Sequence, residues 1–247
     1  KDETQCILDC GESGSTLRFM VPFAASLGKS CKFIGAERLG QRPLNPLLSA
    51  LKNNGIKIKH PADAFLPLEI SGELSGNEFE IPGDISSQFI TGLLFAIGNM
   101  GGGKIKTTSA LKSAPYIDIT ADIQKQFGLS VEKTDYGYTV EKGACYTSPE
   151  EIKIEGDYSN AAFLDAFNYI GSDVTIGNLK ADSLQGDKIY KQYFDEISNG
   201  TPTLDISDCP DLGPVLFALA AMKNGAVFLG TERLRVKECD RVEAMKE

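Results

Sequence analysis

One histidine, no tryptophan and no C-x-x-C pair stand out first in this 247-residue chain. With His60 alone, most zinc sites and His-rich catalytic constellations are excluded. His60 sits beside Pro61 in a polar loop and is read as structural. The six cysteines (Cys6, Cys10, Cys31, Cys145, Cys209, Cys239) are scattered, so a reducing, cytoplasmic setting is expected rather than a disulfide framework. No apolar run reaches the roughly 18 residues of a membrane helix, and no signal-peptide pattern is present. A surplus of positive charge is also missing. The formal net charge is −9, which argues against nonspecific nucleic-acid binding. An anionic ligand would need local Lys and Arg to overcome that field.

What the chain does have is a recurring stretch. Gly83-Asp84-Ile85-Ser86-Ser87-Gln88-Phe89 opens an apolar helix through Phe89, Ile90, Leu93, Leu94 and Ile97, ending at Gly98. Serines at a helix start either cap its free N–H groups or help to seat an anion there. Similar openings lie at Asp9–Thr16, Gly156–Asn160 and Asp208–Asp211, each followed by an apolar run, a glycine and a short β-like segment. The leading acids at 9, 84, 157 and 208 are 75, 73 and 51 residues apart. That period is too long for a solenoid repeat of roughly 20–50 residues. It fits a larger unit of helix, strand, second helix and strand pair.

The first unit runs from about Cys6 to Glu80, with Glu69–Gly72 and Asn77–Ile81 expected to form a hairpin. The second runs from Gly83 to about Lys142, with a hairpin across Asp135-Tyr136-Gly137. A polar connector places a domain boundary near Glu151, giving a first lobe over 1–153 and part of a second over 154–247. The third unit is about 22 residues short and is expected to have lost its strand pair. The chain starts at the edge of a strand and stops in a helix, so both ends of a longer protein are expected to be missing.

Gly11-Glu-Ser-Gly-Ser-Thr16 is loop-like, yet it has no lysine where a P-loop needs one. Gly101-Gly-Gly-Lys104 is read as a turn. Ser86, Ser87 and Gln88 offer two hydroxyls and an amide, and Ser113 and Tyr116 sit at the equivalent start of the next helix. Arg42, before Pro43, can clamp an anion or pair on the surface. The densest charge cluster is Arg235-Val-Lys237-Glu238-Cys-Asp240-Arg241. Lys237 and Arg241, at i and i+4, are expected on one face of a starting helix. Two cations there are unfavourable unless an anion sits between them; a solvated charge run is the plainer alternative. Asp211 is either a helix cap or a general base.

Taken in order, Gly11–Arg18, Arg38–Pro43, Gly83–Phe89, Ser113–Asp118, Gln185–Asp187 and Arg235–Arg241 make the chain similar to the 5-enolpyruvylshikimate-3-phosphate synthases over nearly its whole length. The resemblance implies an α/β (α+β) two-lobed enolpyruvyl transferase fold of six βαβαββ units, about four of them present, with substrates in the cleft between lobes. It implies transfer of the enolpyruvyl group of phosphoenolpyruvate to the 5-hydroxyl of shikimate 3-phosphate, without metal or organic cofactor, in a monomer with no nucleic-acid or membrane partner. Ser86, Ser87, Gln88, Ser113, Tyr116, Asp211 and Lys237 would hold shikimate 3-phosphate. Gly14, Arg42, Gln88 and Arg241 would meet phosphoenolpyruvate. Asp211 would act as base, Glu238 would handle the methylene proton, and Lys237 is placed with them as catalytic.

The departures from the family pattern are Glu12 for Asn, Cys239 for Thr, and the absence of the family's terminal Lys, Arg and His-Arg segments. Weak or absent turnover is therefore expected. The alternatives are a noncatalytic fragment that binds shikimate 3-phosphate or a complementary chain, and a UDP-N-acetylglucosamine enolpyruvyl transferase. The latter is disfavoured because none of the six cysteines lies in its reactive-loop pattern.

Overall fold

A computed structural model describes residues 6–246. The chain divides into two compact units. One comprises the chain up to Lys112 together with Thr120–Glu150; the other comprises Ser113–Ile119 and the chain from Glu151 onward.

The first unit contains two copies of one βαβαββ pattern. The first copy runs β1 (Cys6–Asp9), α1 (Gly14–Ser26), β2 (Cys31–Ile34), α2 (Glu37–Gln41), α3 (Asn45–Asn53), β3 (Lys57–Lys59) and β4 (Leu68–Ser71). The second runs β5 (Glu78–Ile81), α4 (Ser87–Asn99), β6 (Gly103–Thr107), α5 (Ala114–Gln126, counted in this unit from Thr120 onward), β7 (Val131–Thr134) and β8 (Gly137–Val140). Their sheets share a topology. The strand orders are β1-β2-β4-β3 and β5-β6-β8-β7, each with one parallel pair followed by antiparallel neighbours.

Period-two alternation explains how each sheet faces. Phe79, Ile81 and Ile105 are buried, while Glu78, Glu80, Lys104 and Lys106 point to water. The parallel register sets Glu78 opposite Lys104 and Glu80 opposite Lys106, and those pairs close at 3.6 and 3.0 Å. In the first sheet, Lys32 opposite Glu69 repeats the device at 3.4 Å. Such exposed pairs contribute little to stability but fix which face is wet.

Behind the sheets lie α1 and α4. α4 is buried along almost its whole length, at Phe89, Ile90, Leu93, Leu94, Ala96 and Ile97, as expected of a helix that is apolar all round. The two helices meet closely at Gly92, where an added Cβ would lie 2.2 Å from the Arg18 carbonyl oxygen. Thr91 and Thr120 pair their hydroxyls at 3.1 Å beneath α5, and Gln124 donates to the Leu94 carbonyl at 3.1 Å.

The second unit contains α6 (Tyr158–Tyr169), α7 (Tyr190–Asn199), β9 (Thr203–Asp205), α8 (Gly213–Met222), β10 (Val227–Leu229) and α9 (Arg241–Ala244). Its core is built on Tyr190, Phe194, Ile197, Leu204, Leu216 and Leu234. β9 and β10 pair in parallel across α8, as β1–β2 and β5–β6 do in the first unit. Among the described residues no antiparallel strands follow beside β10. Phe163, Leu164, Phe167 and Ile170 leave an apolar stripe of α6 about half exposed.

Three sequence expectations are corrected. Glu69–Gly72 and Asn77–Ile81 do not form a hairpin: β4 pairs with β2 and β3, and β5 opens the second sheet. The three-residue β3 carries too short an alternation to reveal itself as β4's partner. The β-like segment expected after the third helix start, Val174–Gly177, forms no strand. Lys237 does not lie on a helix with Arg241, because a 3-10 turn occupies Glu232–Val236 and α9 starts only at Arg241. The predicted hairpin across Asp135–Gly137 is present as β7–β8. His60 is held by its own loop, with Nδ1 2.7 and 3.0 Å from the carbonyl oxygens of Pro61 and Ala64.

The substitution Gly92→Ala is expected to force α1 and α4 apart and to lower stability by about 3 kcal/mol, within the range for overpacked cores. Urea denaturation reads this directly; an unchanged midpoint would show that the helices do not touch there.

Candidate functional site

In the first unit, the start of α4 is tied to α1 through Gln88. Its amide nitrogen donates to Ser15 Oγ at 2.7 Å, and its amide oxygen accepts from Arg18 at 2.7 Å. Arg18 also donates to the Pro43 carbonyl at 3.0 Å and lies 5.4 Å from the Phe89 ring centre. Ser86 and Ser87 are buried, and Ser86 stands at the N-cap position in extended geometry, φ −158° and ψ 120°. Its side chain makes no capping bond, so the plain-cap reading of this stretch does not hold. The N-cap of α1 behaves differently: Ser13 Oγ accepts from the Thr16 N–H at 3.1 Å.

Arg42 is buried, with its guanidinium packed against Gly14. A Cβ on Gly14 would stand 2.6 Å from one guanidinium nitrogen. Only glycine at this position leaves that arginine in place. Glu12, the departure that would have put negative charge here, is exposed.

The second unit holds the denser cluster, organised on Asp211. One carboxylate oxygen of Asp211 accepts from Lys237 Nζ at 3.1 Å and from Arg241 at 3.0 Å. Arg241 also donates to Glu238 at 2.9 Å. The other Asp211 oxygen accepts from the Tyr116 hydroxyl at 3.4 Å. That hydroxyl lies 3.3 Å from Asp187, whose second oxygen accepts a hydrogen bond from Ser159. Asp211 is therefore neither a simple cap nor a solvated acid.

Local structure puts these groups together. The chain runs Cys209-Pro210-Asp211 through a 3-10 turn into α8, which starts at Gly213. Gln185 accepts from the Tyr158 N–H at 2.7 Å and donates to the Gly156 carbonyl at 2.8 Å, fixing the turn that carries Asp187. Gly186 lets that turn pass Pro115, since an added Cβ would meet the proline ring at 2.9 Å. Ser113 has φ 56°, an uncommon left-handed conformation for serine. Its N–H donates to Asp208 at 2.8 Å, and its Oγ accepts from Arg233.

Electrostatics follow from this packing. Burial acts to raise the Asp211 carboxyl, but Lys237 and Arg241 outweigh it and hold it below the usual carboxylate value. Burial lowers Lys237 from the usual lysine value, and Asp211 opposes the fall. Asp187 goes the other way: burial raises it, only partly countered by its bond from Ser159. Burial, then Asp211 and Asp187, push the Tyr116 phenol upward, so it stays a donor.

Of the residues singled out by sequence, Ser113, Tyr116, Asp211, Lys237, Glu238 and Arg241 come together in the second unit. Gly14, Arg42, Ser86, Ser87 and Gln88 lie in the first. Arg18, Ser159 and Arg233 carried no separate signal, and Asp187 was noticed only as part of a motif. Among the described residues, no group of three or more His, Cys, Asp or Glu is placed to hold a metal ion. No described helix is long and apolar enough to cross a membrane.

The fold is similar to that of solved enolpyruvyl transferase structures. The structure titled enolpyruvyl transferase NikO from Streptomyces tendae is similar over 86% of this chain and 56% of its own, at TM-score 0.59 and 12% identity. An EPSP synthase structure from Acinetobacter baumannii covers 98% of this chain and 60% of its own, at TM-score 0.72 and 20% identity. Residues 1–247 match the family model of EPSP synthase (3-phosphoshikimate 1-carboxyvinyltransferase), and the chain belongs to that family. A 3-phosphoshikimate 1-carboxyvinyltransferase from Clostridium novyi (strain NT) is 38% identical over 256 residues, 96% of this chain. The chain spans 59% of the length of that relative.

The opposed shifts of the two acids carry a pH signature. Asp211 has a depressed folded value, so its stabilisation is complete above the unfolded carboxylate value of ~3.9 and is lost as pH falls through the folded value. Asp211→Asn is expected to be less stable than the parent at neutral pH, the gap closing on acidification. Asp187 has a raised folded value, so its ionisation costs stability above that value. Asp187→Asn is expected to be no less stable than the parent at neutral pH and to lose any advantage in acid. Denaturant midpoints across pH check both; a gap independent of pH for Asp211→Asn would contradict the clamp.

Proposed function

We propose that this chain serves the transfer of the enolpyruvyl group of phosphoenolpyruvate to the 5-hydroxyl of shikimate 3-phosphate, with release of phosphate. The setting is the cytoplasmic shikimate route to aromatic amino acids. Family membership and the Asp211 cluster support this reading. The observation that carries it is two cations on one oxygen of a single carboxylate, beside a second carboxylate, Glu238. That arrangement suits a reaction that moves protons between anionic partners.

Asp211 takes the proton of the 5-hydroxyl as its oxygen bonds to C2 of phosphoenolpyruvate. Glu238 delivers a proton to the methylene carbon and takes one back as the C–O bond to phosphate breaks. Lys237 neutralises charge building on the attacked carbon's substituents, and Arg241 binds the carboxylate of phosphoenolpyruvate. Ser86, Ser87, Gln88, Ser113 and Tyr116 hold shikimate 3-phosphate. Arg42, seated against Gly14, faces the phosphate of phosphoenolpyruvate. An anionic substrate that draws Lys237 and Arg241 off Asp211 raises the basicity of that carboxylate as it arrives.

A second reading, a binder with little turnover, is favoured by β10, which has no strand on its outer edge among the described residues and so invites another. Calorimetric titration with shikimate 3-phosphate, alone and with phosphoenolpyruvate, followed by a phosphate-release assay, separates the two. Binding that is weakened more than about tenfold by Lys237→Met, a typical cost for a lost charge-assisted bond, is expected from both readings. Steady phosphate release would reject the binder. A folded sample that binds neither ligand would reject both.

A further inference from the structure

Cys6 and Cys31 stand opposite each other at one end of the first sheet. The parallel register of β1 and β2 pairs them directly. Residues paired in this way point to the same face of a sheet. Neighbouring strands lie about 4.8 Å apart, inside the Cα separation of roughly 4.4–6.8 Å that a disulfide spans. Both thiols are free, and they share a hydrogen bond. The other four cysteines lie outside the strands.

The two sulfurs are unlike. Cys6 is exposed, so an oxidant in solution reaches it. Cys31 is buried. Burial, then the bond with Cys6, pushes its thiol up to about 11, so it waits in protonated form. Lys29 pulls the other way, since a cation near the sulfur favours thiolate. The strand pair is weakly held at this end. β1 is an edge strand that pairs with β2 alone among the described strands. The Cys6 N–H reaches the Ser30 carbonyl at 3.4 Å, longer than an ordinary ladder bond. A bond from Cys6 to Cys31 would close a ring around all of α1, including Ser15 and Arg18, which fasten Gln88.

We propose that Cys6 and Cys31 form a redox modification site: a peroxide closes them into a disulfide that clamps β1 to β2, and low-molecular-weight thiols reopen it. The Cys6 thiolate attacks one oxygen of hydrogen peroxide. An S–O bond forms, the O–O bond breaks, and the departing hydroxide takes up the proton that Cys6 released, giving water. The Cys31 sulfur then attacks the sulfur of the Cys6 sulfenic acid. The S–S bond forms, the S–O bond breaks, and the Cys31 proton leaves with the second oxygen as water. The two thiols together lose two electrons, and one peroxide gains them. In a reducing setting two equivalents of a thiol return both cysteines to thiols and leave as their own disulfide. The site lies within the first unit and does not rest on the function proposed above.

The test treats the full chain with stoichiometric hydrogen peroxide, then with dithiothreitol, and reads non-reducing peptide mass maps and melting temperature. The parent is compared with Cys6→Ser, a change at an exposed position. The oxidised parent is expected to yield a cross-linked Cys6–Cys31 peptide. It should melt on the order of 5–10 °C above equally treated Cys6→Ser, the size expected from the chain entropy lost in the closed loop. Dithiothreitol should reverse both effects, and reduced Cys6→Ser should melt with the reduced parent. A parent map without that peptide, or with Cys6 joined to another cysteine or to a second chain, would overturn the proposal. So would a Cys6–Cys31 cross-link that leaves the melting temperature level or lowers it, because the bond would then strain the strands rather than clamp them.

Discussion

Two cations on one oxygen of Asp211 are the interaction on which the site in the second unit depends. Lys237 and Arg241 are within 3.1 Å of that oxygen, and the carboxylate is 26 and 30 residues away in sequence. Without it, two like charges would face each other in a partly desolvated pocket, at a cost that only a bound anion could offset. Everything adjacent is arranged around that neutralisation. Tyr116 bridges Asp211 to Asp187, Ser159 satisfies Asp187, and Gln185 fixes the turn between them. The cluster is therefore assembled in the free chain around the Asp211 carboxylate.

The first unit achieves preorganisation by packing rather than by charge. α1 and α4 approach until only glycine fits at Gly92, and Gln88 locks the start of α4 to Ser15 and Arg18. That leaves Ser86 at a helix start with its hydroxyl uncommitted to capping. The duplicated sheet topology gives the same device twice, a polar helix start just after a parallel strand. Such starts favour anions through the helix dipole and unpaired N–H groups.

How much of this was readable in the chain depends on range. The repeated helix starts, the hairpin at Asp135–Gly137 and the structural role of His60 were legible because each is set by neighbours within a few residues. The pairing of β4 with β3 was not, since alternation tells which face a residue takes and not which strand it meets. Spacing at i,i+4 suggests that Lys237 and Arg241 share a helix face, whereas a 3-10 turn comes first and the two converge through Asp211. Arg233 carried no local signal, because its hydrogen-bond partner Ser113 lies 120 residues earlier. The Ser113 conformation likewise depends on Asp208, 95 residues later.

The most direct test of the central claim is the titration of the Asp211 side-chain carboxyl, followed by carbon-13 NMR, in the free chain and with shikimate 3-phosphate added. The account predicts a value below the ordinary carboxylate range in the free chain, rising when the ligand draws Lys237 and Arg241 away. An ordinary value in the free chain, or a depressed value unmoved by bound ligand, would contradict it.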